Sequence, residues 1–508
     1  MKTFFIIFFL IVLFGEQVFA QSNLPPQTLT QAQQQEDFKI FRGALEEIHA
    51  GLNWHISEKA LNRLFDETDK SLTETATTEE YYLKLRRVMA SLRHGHGGVT
   101  LRREDGVNYR LAALAKSKKY LPLAIRILNR RVFVAVNCSS DTEVTAGSEI
   151  LSINGEPIKK ILDKQLPLMF ANGRNTSFKY SNLESYYQFH YLYQLMNPKV
   201  ERFRIEAIAL GKREKRTFLL EGEKPQTISE RFEKIKGKGI SDYGDLLKFR
   251  ILDEKNKIAY LRIGSFYKGL VPGYVDFLYR TFTEIKQAGV QHLIVDVRQN
   301  EGGGDGYWQM AYTYTTGNRL EGADGLPYVR GDKFSYIKYV ENPSPDFVAF
   351  ASNPYALITK LPDGRFQLKP QYTEEDTKDF AAPPNAFTGK LYVLHDGMTF
   401  SAGTAYVETV LKELRKQKRF VKFIGTEPGD DFNSGVASGG SSADLRLPNS
   451  KISVNIPLLA GGAKKPYANG EKISLPDYKI VSTAEDLAKG VDTELNFTMA
   501  LIRNNNLK

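Results

Sequence analysis

A single cysteine, Cys138, in 508 residues excludes an intramolecular disulfide, so the folded chain must rest on buried apolar cores. Long hydrophobic runs are scarce as well. Beyond the first twenty residues no segment offers the roughly 18 consecutive apolar residues of a membrane helix. No cysteine stands near position 20 to carry a lipid, and no stable membrane insertion is expected. Charge of one sign is not gathered anywhere: 69 Lys and Arg are interspersed with 59 Asp and Glu, and the net +10 forms no long basic block. That pattern argues for a solvated basic surface and against a nucleic-acid partner. There is no internal repeat, no Gly-Lys-Ser/Thr phosphate loop, no dinucleotide glycine spacing and no HExxH pair. Neither a metal nor an organic cofactor is therefore expected.

What is present begins with an address. Lys2 precedes an unbroken apolar run from Phe4 to Phe14, then Val18-Phe19-Ala20, which reads as a cleavable signal peptide over residues 1–20 and implies a periplasmic or extracellular protein. Apolar residues at three- and four-residue spacing (Phe41, Leu45, Ile48; Leu61, Leu64, Phe65; Tyr82, Leu85, Val88, Leu92) then predict a helical region over 30–104. β-Branched and aromatic runs at 131–136 and 149–153, the latter followed by the turn Asn154-Gly155, predict a mostly β domain over 105–220. The Lys-, Glu- and Gly-rich stretch 221–240 reads as a linker. From 241 to 500 the grammar is βαβ: a strand at 258–263, a helix at 275–287, a buried strand at 293–295, a strand at 391–394 and a helix at 402–414. The Pro- and Tyr-rich stretch 319–385 reads as an insertion in this α/β domain. The whole is an α/β multi-domain chain.

Two strand exits carry the candidate chemistry. After the buried strand comes Asp296-Val297-Arg298-Gln299-Asn300-Glu301-Gly302-Gly303-Gly304, whose glycines let backbone N–H groups approach a ligand. After the 391–394 strand comes His395-Asp396-Gly397-Met398-Thr399-Phe400-Ser401-Ala402-Gly403. This puts Ser401 at a helix N-terminus, where a developing negative charge is favoured; a plain helix cap is the other role a serine takes there.

Together these exits resemble the D-x-R-x-N-x-G-G signature and the nucleophile segment of the tail-specific (C-terminal-processing) serine peptidases. The resemblance implies a ClpP/crotonase-like catalytic core, protein or peptide substrates, Ser401 as nucleophile and the Gly303 and Ala402 amides as oxyanion donors. Asp296, Arg298 and Asn300 then brace the glycine turn. Ala146 to Ile158 is similar to a PDZ signature, with Leu121-Pro122-Leu123 as a divergent carboxylate-binding loop, so that Leu121 and Leu123 mark a peptide-binding edge. Where the bacterial branch has a lysine base, this sequence reads Gly425-Thr426-Glu427-Pro428-Gly429-Asp430-Asp431, with aspartate in the lysine's place. The tricorn-core-like branch takes a histidine from the helical region. Leu92-Arg93-His94-Gly95-His96-Gly97-Gly98 is similar to that segment and points to His96 as base, with His94 as the alternative. In the same branch a glutamate near the C-terminus orients the histidine, and Gly470-Glu471 implies Glu471. The competing expectation is a catalytically inactive peptide-binding scaffold. Oligomeric state is not legible.

Overall fold

The computed structural model describes residues 28–101, 119–185, 188–236, 246–321, 326–343, 345–372, 379–430, 437–460 and 475–504. Helix α1 (Gln31–Ile48) opens on a capping box: Thr30 Oγ1 accepts from Gln33 N, and the Gln33 side chain accepts from Thr30 N. Phe38, Phe41, Leu45 and Ile48 make its buried stripe, at the spacing of one helical face. Helices α2 (Glu58–Lys70) and α3 (Thr78–Ser91), capped by Ser57 and Thr77, pack with it. Helices alone do not close this core. Leu445, Ile452, Val454 and Ile456 fill it from near the C-terminus, with Phe334 and Phe347 from the 319–385 stretch. Strand β1 (Gly98–Leu101) pairs antiparallel with Ile452–Ala460, from Gly98↔Asn455 to Leu101↔Ile452. The apolar stripes show that these helices are buried, but not that their partner lies some 350 residues away.

The next region is built on an antiparallel sheet. Strand β2 (Leu123–Leu128) lies at one end, followed in space by Arg131–Asn137, Glu149–Ile153, Arg202–Ile208 and Lys215–Glu221. Three helices, Ile158–Gln165, α4 (Ser177–Glu184) and α5 (Gln188–Met196), fill the long connection and cover the sheet. Helix α6 (Pro225–Lys236) occupies most of the stretch expected to be a linker. Ile228 is buried with Tyr120, Val136 and Cys138, and Phe232 and Ile235 pack partly buried against the same cluster. The three recur at four and three, a short helical stripe that the Lys-, Glu- and Gly-rich composition outweighs in the linker reading.

In the third region the expected alternation appears. A six-stranded sheet runs Leu247–Asp253, β3 (Ile258–Ile263), β4 (His292–Asp296), β5 (Lys390–His395), β6 (Val421–Gly425), Tyr478–Lys479. All pairs after the first are parallel. Helices α7 (Tyr274–Gln287), α8 (Asp305–Thr316) and α9 (Ala402–Lys416) bury one face, and α10 (Thr493–Arg503) the other. Both faces are covered, so β3 is buried at every position, as a continuous apolar run requires. Strands β4 and β5 are neighbours in register, Val295↔Val393 and Asp296↔Leu394. Their exits therefore open side by side, where ligands of parallel sheets bind. A second sheet joins β1, Tyr328–Val329 and the hairpin β7 (Ala437–Arg446) and β8 (Ile452–Ala460). No helix among the described residues is long and apolar enough to cross a membrane.

Candidate active site

The glycine exit is braced from below. Asp296 accepts from Tyr260 Oη (2.8 Å), from Arg298 N and Nε (3.0 Å each) and from Arg298 Nη2 (2.7 Å). Arg298 reaches on to Asp492 and Glu494 of the C-terminal segment. Burial pushes the Asp296 carboxyl up, but Arg298 and Arg262 together hold it below its usual range. Asn300 Nδ2 donates to Ile263 O (3.0 Å) and Asn300 Oδ1 accepts from Gly302 N (2.9 Å). These three side chains thus fix the turn, as expected of them.

The turn is shaped for glycine. Gly303 has φ 140°, and a Cβ there would stand 2.1 Å from the carbonyl carbon of Phe266. Gly302 has φ 100° and lies against the helix start, its virtual Cβ 2.9 Å from both Ala402 N and Ser401 Cβ. Phe266 N donates to Gly302 O and Gly304 N to Phe266 O, at 2.9 and 3.0 Å. The N–H groups of Gly303 and Ala402 enter no hydrogen bond among the described residues.

The serine exit is tied to the glycine exit. Asp396 Oδ1 accepts from Gln299 N, Met398 N and Thr399 N (2.9, 3.0 and 3.1 Å), and Phe400 N donates to Asn300 O (2.9 Å). Ser401 sits at φ 52°, ψ −122°, and its side chain makes no capping bond to α9. Its Oγ instead lies 2.9 Å from His96 Nε2. Its N–H donates to Asp430 Oδ2 (3.1 Å).

His96 stands in the turn between α3 and β1. Asn172 links that turn to Asp430: its Oδ1 accepts from Gly95 N and its Nδ2 donates to Asp430 Oδ1, both at 2.5 Å. The imidazole lies 4.9 Å from the Phe400 ring, which stacks on Phe178. Burial lowers the His96 pKa, opposed by the carboxylates of Asp430 and Asp305. Its Nδ1 is buried with no hydrogen-bond partner among the described residues. Glu471, expected to orient it, lies outside the described residues, as does the signal segment.

His94 is turned away into a cluster with His49 and His55 (ring centroids 4.8 and 5.3 Å), its Nε2 2.8 Å from Gly51 O. Of the two histidines the structure brings His96 to Ser401. Lys412, Lys416 and Lys418 are exposed on or just past the far end of α9. Leu121 and Leu123 are buried in the second region's core. Two backbone groups of β2 are already engaged: Ile127 N donates to Glu184 (2.6 Å) and His190 Nε2 to Leu123 O (2.7 Å). Asn172 was not foreseen in sequence, since its role depends on contacts 77 and 258 residues away. Asp430 was visible only as the residue type found where a lysine was sought.

Residues 257–433 match peptidase family S41. No curated protein matches the chain. Among solved structures, mature CPAF is similar with TM-score 0.58 and 14% identity, over 94% of this chain and 98% of that one. Mature CPAF complexed with lactacystin gives 0.58 and 15%, over 94% and 99%. A CPAF mutant gives 0.60 and 14%, over 94% and 99%. At such identity the likeness is one of fold, and it spans both chains almost end to end.

Proposed function

We propose that this chain, whose residues 257–433 match peptidase family S41, is an exported serine-type endopeptidase of the tail-specific family with Ser401 as nucleophile and His96 as general base. The observation that carries this reading is the 2.9 Å contact between His96 Nε2 and Ser401 Oγ, the geometry a proton transfer needs. Neutral His96 takes the Oγ proton as Oγ attacks the peptide carbonyl. The oxyanion is received by the N–H groups of Gly303 and Ala402, free for that purpose. The imidazolium, favoured by Asp430 and Asp305 nearby, returns the proton to the leaving amine. Water, activated by His96, then hydrolyses the acyl-enzyme.

The buried Nδ1 of His96 calls for an acceptor, and Glu471 is our candidate. The sheet region before the catalytic domain is proposed as PDZ-like, with peptides entering beside Leu121 and Leu123. For that, the Glu184 and His190 contacts to β2 must open. The test is a serine-reactive fluorophosphonate together with a casein digest. The expected result is labelling and hydrolysis in the wild type and neither in Ser401→Ala. Hydrolysis persisting in Ser401→Ala would overturn the assignment.

A further inference from the structure

Beside the Ser401–His96 pair lies a cleft of about 390 Å³ that the reaction described above leaves unused. Gly95 and Phe400, the residues immediately before His96 and Ser401, both line it. Its wall carries Arg86, which comes from α3 and is only 5% exposed. Arg86 Nε donates to Leu168 O (2.8 Å) and Nη1 to Tyr82 Oη (2.7 Å), while Nη2 has only Met169 Sδ at 3.9 Å. The guanidinium lies 4.5 Å over the Phe170 ring. Among the described residues it has no ion-pair partner.

A buried arginine surrounded by neutral dipoles and a ring is costly unless an anion joins it. Its planar fork suits a carboxylate. Gln188, on the same lining, has a buried Oε1 with no donor among the described residues. A ligand that brings a carboxylate and an N–H together is a peptide. Glu301 stands exposed on the lining and makes no ion pair with Arg86.

We propose that this cleft is a substrate subsite in which Arg86 receives a carboxylate of the peptide being cut, from an acidic side chain or from the chain's C-terminus. The inference rests on the peptidase reading above and narrows its substrates to peptides with an anionic group near the scissile bond.

The experiment uses the full chain and matched peptides around a bond that the wild type cuts in denatured casein. Each of the four positions on either side carries Glu or Gln in turn, and each peptide is made with a free and an amidated C-terminus. At one position the wild type should lose at least about ten-fold in kcat/KM on Glu→Gln, or on amidation where the terminus falls there. The two arms separate the sources of the carboxylate. In Arg86→Gln that ratio should fall below about two-fold. A ratio taken within one preparation does not depend on how much of the variant has folded.

No position distinguishing Glu from Gln in the wild type, with no effect of amidation, overturns the proposal. So does a ratio that survives Arg86→Gln. If casein itself is not cut, the peptidase reading fails; if casein is cut but no peptide is, that reading stands. The subsite is then judged by binding to Ser401→Ala: tighter capture of the Glu peptides or free acids sustains it, and equal capture ends it.

Discussion

Ser401 adopts φ 52°, ψ −122°, a conformation in which a side chain is strained by about 1–3 kcal/mol and glycine is at ease. The turn is over-determined from outside, by Asp430 on its N–H and Ala405 N on its carbonyl. Removing the side chain should release that strain. Ser401→Gly is expected to gain about 1 kcal/mol in urea unfolding while losing all hydrolysis. A loss of stability would mean that the turn stores nothing. Asp430 acts on charge as well as on geometry. As the proposed base, His96 acts only when neutral, and burial lowers its pKa against the pull of Asp430 and Asp305. The acid limb of kcat/KM should therefore lie below the ordinary histidine value of about 6.5. Asp430→Asn removes one opposing charge, so the limb should move to still lower pH. Its plateau should fall about ten-fold as the Asn172 link loosens. A limb that stays in place would make Asp430 a purely structural residue.

Among elements, β3, β4, β5, α7 and α9 are legible in the chain because each is a continuous buried strand or a long amphipathic helix. The two strand exits follow from them, and with them Ser401, Gly303 and Ala402. Helix α6 is not legible from composition, because its short stripe Ile228, Phe232, Ile235 is set among Lys, Glu and Gly. Nor is the Asn172–Asp430 link, which no local pattern encodes. The edge of β2 shows a different limit. Leu121 and Leu123, proposed beside a peptide-binding edge, are buried in the core, and Glu184 holds Ile127 N of strand β2. Burial raises the Glu184 pKa, with Arg126 pulling the other way. If free C-termini enter at this edge, Glu184 competes with them. Glu184→Gln, in a Ser401→Ala background, should tighten free-acid peptides about three- to ten-fold and leave amidated ones unchanged, read by fluorescence anisotropy. Equal affinities for both peptide forms in both proteins would remove Leu121 and Leu123 from the peptide-binding edge.

Across the whole molecule, four of the seven histidines are buried and a fifth, His55, is half-buried, and burial favours the neutral ring in all five. Burial lowers His49 to about 3, His55, His190 and His395 to about 4, and His94 well below its usual value. The unfolded chain binds those protons near pH 6.5 and the folded chain does not. Their contribution is complete above about 6.5 and is lost as pH falls toward 4, at about 1.4 kcal/mol per pH unit for each group. The melting temperature should be level from pH 7 to 8 and drop steeply between 6.5 and 5. A flat profile across that window would mean that these rings already carry charge when folded.

The same molecule joins its two ends. The strand that follows His96 is hydrogen-bonded to Ile452–Ala460, and the first helices share their core with Leu445 and Val454. His96 and Ser401 are 305 residues apart in the chain. A growing polypeptide emerging from the ribosome thus lacks the second half of the proposed catalytic pair for most of its synthesis. Even once Ser401 is out, the His96 turn has no strand to rest on until residues 452–460 follow. The proposed pair is thereby completed only after residues 452–460 have been made.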